Sequence, residues 1–162
     1  MPSTAPYRFW RHAFTDEADV RRAFPADGMA RVERAIREGE ATHRGQVCVA
    51  VEPALPLARV LRKLPPRVRA LEVFGQLRVW DTEENNGVLI YVLLADRDVE
   101  IVADRGIHQL VGDSAWEAIC TRMEGIFRED RHVEAVEAGV REVSALIAQH
   151  FPGGAGDRNE LP

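Results

Sequence analysis

The sequence predicts one α/β domain built on a mixed sheet, and three observations carry that prediction. Residues 87–94 (GVLIYVLL) are an almost unbroken apolar run rich in Val, Ile and Tyr, as required of a strand covered on both faces. After the polar Asp96-Arg97-Asp98, Val99 and Ile101 alternate against Glu100, the pattern of a second strand that turns back antiparallel with a wetter face. Upstream, the apolar run QVCVAV at 46–51 is separated from the Gly87 strand by helical periodicity. These make a βαβ unit, so the first two strands are expected parallel with a right-handed crossover, and the second and third form the hairpin.

The chain of 162 residues, 46% hydrophobic, suffices for one domain with a substantial core and is short for two. Residues 1–24 carry Tyr7, Phe9, Trp10 and Phe14, too apolar for a free tail, and read as an arm or short helix packing on the domain proper at 25–151. Pro25 opens a helix in which Met29, Val32 and Ile36 recur before Gly39 closes it. Between the first two strands, Leu57, Val60, Leu61 and Leu64 form one stripe and Val68, Leu71 and Phe74 another. Proline is excluded from helix interiors, so Pro65-Pro66 must split them, the second helix starting near Pro66. Asp113-Ser114-x-x-Glu117 reads as a capping box before a helix bearing Trp116, Ile119, Met123 and Phe127. From about residue 130 to 151, Val133, Val136, Val140, Val143 and Ile147 share one helical face, expected to cover the sheet. The Gly-rich 152–162 has the composition of a flexible tail.

A net charge of −5 with both signs interspersed supplies no field for phosphate backbones, so no nucleic-acid partner is expected. Cys48 and Cys120 fit no metal or redox spacing and read as small core residues. No secretory h-region and no run of roughly 20 apolar residues is present, which points to a cytoplasmic protein without a transmembrane segment. The aromatic and basic N-terminal stretch suits contact with a partner, a second copy or a membrane surface. His12, His43, His108, His132 and His150 show no ligand spacing and read as surface or supporting residues. Trp80, Trp116 and Phe74 read as core anchors, and Arg67 and Arg69 as partners of nearby acids. With no phosphate-binding glycine loop, nucleophile elbow or zinc signature, no organic cofactor is expected.

Two constellations remain. The loop leading into the Gly87 strand offers Asp81, Glu83, Glu84 and Asn86, and antiparallel geometry brings Asp104 to the same rim. Such hard oxygens suit Ca²⁺ or Mg²⁺, and they suit equally a solvated acidic turn. At the opposite rim, where α/β sheets prefer to bind ligands, Asp96 is a candidate nucleophile or metal ligand and Arg97 a phosphate clamp; Asp-Arg-Asp is also ordinary turn chemistry.

Asn86-Gly87-Val88-Leu89-Ile90, Asp96-Arg97, Val99-Glu100-Ile101 and Gly106-Ile107, with Phe127-Arg128 and Gly139 further on, resemble the TPM domain family. That family comprises thylakoid lumen, photosystem II repair and nematode receptor modulator proteins. The resemblance implies a three-layer α/β/α sandwich, agreeing with the order of elements above. It further implies one of two functions. One is a non-catalytic or weakly catalytic protein-interaction module tuned by a divalent cation, and the other is a metal-assisted acid phosphatase acting on phosphomonoesters. The chain departs from the family pattern where Asn85-Asn86-Gly87 stands for Asp-Asn-Gly and Asp104-Arg105-Gly106 for Gly-Tyr-Gly. Asp104 then offers the charge missing at Asn85. Many relatives also carry a signal peptide and a membrane anchor, which are not evident in this sequence.

Overall fold

The computed structural model describes residues 5–154, with side chains from Tyr7 onward, so most of the expected tail at 152–162 lies outside the described residues. Strands β1 (Gln46–Glu52), β2 (Gly87–Leu93) and β3 (Asp98–Ala103) form one sheet in that order. β1 runs parallel to β2, with Gln46 opposite Gly87 and Glu52 opposite Leu93. β2 pairs antiparallel with β3, with Val88 opposite Ala103 and Leu93 opposite Asp98. Every residue of the central strand is buried, which is why it reads as continuously apolar rather than alternating.

Helices α1 (Ala5–Phe14), α2 (Glu17–Ala23) and α3 (Ala26–Glu40) precede the sheet. α4 (Leu57–Leu61) and α5 (Pro66–Gln76) make the crossover, and α6 (Arg105–Val111), α7 (Asp113–Phe127) and α8 (His132–His150) follow β3. Alternate side chains of β2 face two different cores. Val88, Ile90 and Val92 meet a thick layer in which α3, α7 and α8 bury residues such as Val32, Phe127 and Val140. Leu89, Tyr91 and Leu93 meet a thinner one made with Leu55, Val60, Ala70 and Val73. This is the expected single-domain α/β/α arrangement, with the break at Pro65-Pro66 where the ring forbids a continuous helix.

Four local expectations need correction. Where one arm or short helix is expected, residues 5–24 hold two helices, because Asp16 and Asp19 form a capping box that starts α2 afresh. The box expected at Asp113 does not form. Gly112, at φ 83, turns α6 directly into α7, leaving Asp113 inside the helix without a capping bond. Trp80 is 48% exposed with the Arg78 guanidinium over its ring, because Val79 takes the core position next to it. His12 and His43 are buried rather than superficial, and each binds backbone: Leu55 N–H donates to His12 Nδ1 at 2.9 Å, and His43 Nδ1 lies 3.1 Å from Gly45 O.

The outward side of β3 has no neighbouring strand among the described residues. Its backbone is met by side chains instead: Val99 N–H donates to Glu124 Oε1 at 3.2 Å, and Arg67 Nη1 donates to Ile101 O at 2.5 Å.

Candidate functional site

The hairpin produces two rims. At the amino rim, Asp104 N–H donates to Gly87 O at 2.9 Å and Ile107 N–H to Asn85 O at 3.1 Å, so the end of β3 is tied to the loop preceding β2. Gly106 permits that approach, since a Cβ there would stand 2.5 Å from Glu84 O and 2.7 Å from Asn85 O. Asn85, at φ 53, supplies the left-handed step that lets the loop close. Asn86 and Thr82 are buried, and Thr82 Oγ1 accepts from Asn86 N–H at 3.1 Å. Asn86 Nδ2 in turn donates to Arg44 O at 3.4 Å.

The acids of this rim are not used alike. Asp81 is half-exposed and held by Arg78 at 2.5 Å, and Glu84 is held by Arg44 at 2.7 Å. Glu83 is exposed. Asp104 is 7% exposed; its Oδ1 accepts from Arg105 N–H at 2.7 Å as the cap of α6, while its Oδ2 is buried with no hydrogen-bond partner. Among the described residues, no three His, Cys, Asp or Glu side chains come together to hold a metal ion. A cage made of these carboxylates therefore does not fit. What remains at this rim is one buried, unpartnered carboxylate oxygen, Asp104 Oδ2.

At the carboxyl rim, Asp96 ends a single 3₁₀ turn after β2, and Arg97 follows at φ 50. α1 lies over it. Arg8 Nη2 donates to Asp96 Oδ2 at 2.9 Å, Arg11 Nη2 to Oδ1 at 2.9 Å, and His12 Nε2 stands 2.9 Å from Oδ1. Since His12 Nδ1 accepts from Leu55, Nε2 carries the proton and donates to the carboxylate. Burial alone would raise the Asp96 carboxyl, but the hydrogen bonds from His12 and Arg8 and the charge of Arg8 outweigh it and hold it at about 2. Arg97 points away to Asp130, at 3.3 Å and exposed. A cavity of about 470 Å³ opens beside this turn, lined by Arg11, Arg22, Arg97 and His132 together with Asp19 and Asp130. Burial pushes His132 below its ordinary value, which Asp130 partly opposes.

A larger cavity of about 630 Å³ lies between β3 and α7, along the outer side of the strand, with Asp98, Glu100 and Glu124 in its wall. Burial, then the charges of Glu100, Glu124 and Asp96, push Asp98 up to about 7. The sequence marked Asp98 only as a turn residue. It also left Arg8 and Arg11 unassigned and gave His12 no partner. Their spacing of three and four residues on an acid-free helix was the available signal, since it calls for a carboxylate from elsewhere in the chain. Arg69 pairs with Glu52 at 2.8 Å and Arg67 with Glu100 at 3.4 Å, as expected. Cys48 and Cys120 are free and half-buried.

Comparison with known proteins follows the same lines. The structure is similar to the NMR structure of BA42 protein from the psychrophilic bacterium Bizionia argentinensis, with a TM-score of 0.75 and 27% identity over 86% of this chain and 91% of that one. It also shares its fold with the N-terminal domain of a protein from P. gingivalis, with a TM-score of 0.63 and 20% identity over 78% and 77% of the two chains. No curated protein sequence matches the chain. A family model for the TPM domain matches residues 16–146, from α2 to the last turns of α8, and leaves α1 outside. The chain belongs to the TPM domain family.

Proposed function

We propose that this protein is a non-catalytic TPM-domain module that acts through protein contacts and takes one divalent cation, Ca²⁺ or Mg²⁺, at its amino rim. The observation that carries this reading is the buried, unpartnered Oδ2 of Asp104, in a segment whose backbone is bonded to Gly87 O and Asn85 O. A buried carboxylate oxygen without a donor is costly, and a hard cation would relieve that cost. Asn86 and Glu83 stand close enough in sequence to add oxygens, and Asp81 and Glu84 would first have to leave Arg78 and Arg44, as Glu83 would its own contact. The non-catalytic part rests on Asp96. A carboxylate already satisfied by two arginines and a histidine, and held at about 2, is a poor base and an occupied nucleophile. The test is thermal unfolding under calcium and magnesium titration. Wild type should gain about 2.7 kcal/mol at a hundred times the dissociation constant, and Asp104→Asn should gain nothing. An equal gain in both chains removes Asp104 from the site; no gain in wild type removes the cation.

One observation favours a second reading, metal-assisted hydrolysis of a phosphomonoester at the carboxyl rim: the cavity next to the turn of Asp96, whose wall gathers Arg11, Arg22 and Arg97. Arg97→Ala exchanges an exposed side chain and should leave the fold intact. On this reading it cuts p-nitrophenyl phosphate hydrolysis at least a hundredfold, and unchanged turnover would clear the rim of that role.

A further inference from the structure

We infer that the outer surface of the thin layer, built by α1, α4 and α5, docks on an anionic lipid surface without crossing it. Exposed large apolar side chains are concentrated there. Three lie on α1, two on α4 and four on α5 and the turn after it, leaving only Met29 on α3 and Leu110 on α6 among the described residues. Those of α1 form one stripe at intervals of three and four residues: Tyr7 is 62% exposed, Trp10 56% and Phe14 76%. Trp10 stacks on Phe14 with ring centroids 5.8 Å apart, so the aromatic surface is continuous. The opposite side of the same helix is fixed to the domain by Arg8 and His12, which turns the aromatic stripe outward rather than into the core. Aromatic side chains with a polar edge favour the boundary between headgroups and acyl chains.

Charge selects the occupant. Residues 5–15 and 53–76, which span α1, α4 and α5, hold seven arginines and lysines and one acid, Glu72, so the rest of the chain carries 14 basic residues against 25 acidic ones. The two stretches are packed together: Arg8 Nη2 donates to Leu64 O at 3.2 Å and Leu55 N–H to His12 Nδ1 at 2.9 Å. Several of their arginines are paired with acids of the domain, but Arg62 and Lys63 are exposed and enter no ion pair among the described residues. An isologous contact between two copies would set this cationic face against itself, whereas anionic headgroups complement it. No helix among the described residues is long and apolar enough to cross a membrane, so the contact is a peripheral one.

The experiment is co-sedimentation of the full chain with vesicles of phosphatidylcholine and phosphatidylglycerol at 3:1, against pure phosphatidylcholine. Two variants, W10A/F14A and R62A/K63A, alter only exposed side chains, and circular dichroism melts establish that each is folded. Binding to the mixed vesicles should be at least tenfold stronger than to neutral ones. Each double substitution should weaken it about tenfold or more, in line with roughly 1 kcal/mol per surface cation. Absence of binding to the mixed vesicles overturns the inference, as does binding that is indifferent to lipid charge or to R62A/K63A. So does sedimentation velocity showing a wild-type dimer that W10A/F14A dissolves, since the face would then be a contact between copies. None of these outcomes touches the Asp104 rim.

Discussion

The two faces of the sheet are covered very differently. On one side twenty buried apolar residues from β1, β2, β3, four helices and Phe24 after α2 form a single core around Val88, Ile90 and Val92. On the other, nine buried residues form a small core around Leu89, Tyr91 and Leu93, and the covering helices leave most of their large apolar side chains in solvent. Area removed from water sets the hydrophobic contribution, so the thick side holds the fold together. The thin side is anchored by polar contacts, above all the four-residue cluster at Asp96, and keeps apolar surface in reserve for something outside the molecule. On the docking proposal, stability and recognition are divided between the two sides of one sheet.

The strongest way to break this comparison is to empty each core in turn. Phe127→Ala in the thick layer should cost about 3–5 kcal/mol, and Leu55→Ala in the thin one about 2 kcal/mol, read from urea unfolding. Equal losses would mean that the thin layer bears as much of the fold as the thick one.

Acidity sharpens it next, because Asp96 and Asp98, two residues apart, carry opposite signs. Asp96 is depressed to about 2, so its contribution is present above the ordinary carboxylate value near 4 and is lost as pH falls from about 4 to about 2. Asp98 is raised to about 7, so its contribution is complete below about 4 and is lost as pH rises from about 4 to about 7. Asp98→Asn should therefore stabilise the protein at pH 7 by about 2 kcal/mol, allowing for solvent at the strand edge, and flatten stability between pH 4 and 7. A thermal-unfolding series from pH 2 to 8 checks both slopes. Stability that does not change when Asp98 is replaced would mean its burial is relieved by water. The smallest effect is expected where exposure is greatest. Trp10→Ala with Phe14→Ala should change unfolding free energy by under about 0.5 kcal/mol, and a larger loss would make the aromatic stripe part of the fold.

Much of this was legible in the residues themselves. The run from Gly87 to Leu93 could only be a fully covered strand, and its parallel partner followed from the helical spacing between them. Antiparallel geometry alone brought Asp104 to the loop before Gly87, and its backbone bond to Gly87 O is the direct result. What escaped notice depends on contacts that no local pattern encodes. α6 has seven residues and buries only Ile107, too little periodicity to announce a helix. The union of α1 with Asp96 joins residues 84 to 88 positions apart. Neutralisation of Asp81 by Arg78 was closer to hand, since a basic residue three positions away competes with any ion for the same oxygens.

The treatment of β3's outer side has a consequence for how the molecule behaves in a crowd. An incoming fourth strand, from another copy or from a fibril seed, would have to displace Glu124 from Val99 and Arg67 from Ile101 before it could pair. Growth on that side therefore starts with two contacts to break, which sets a cost against pairing there.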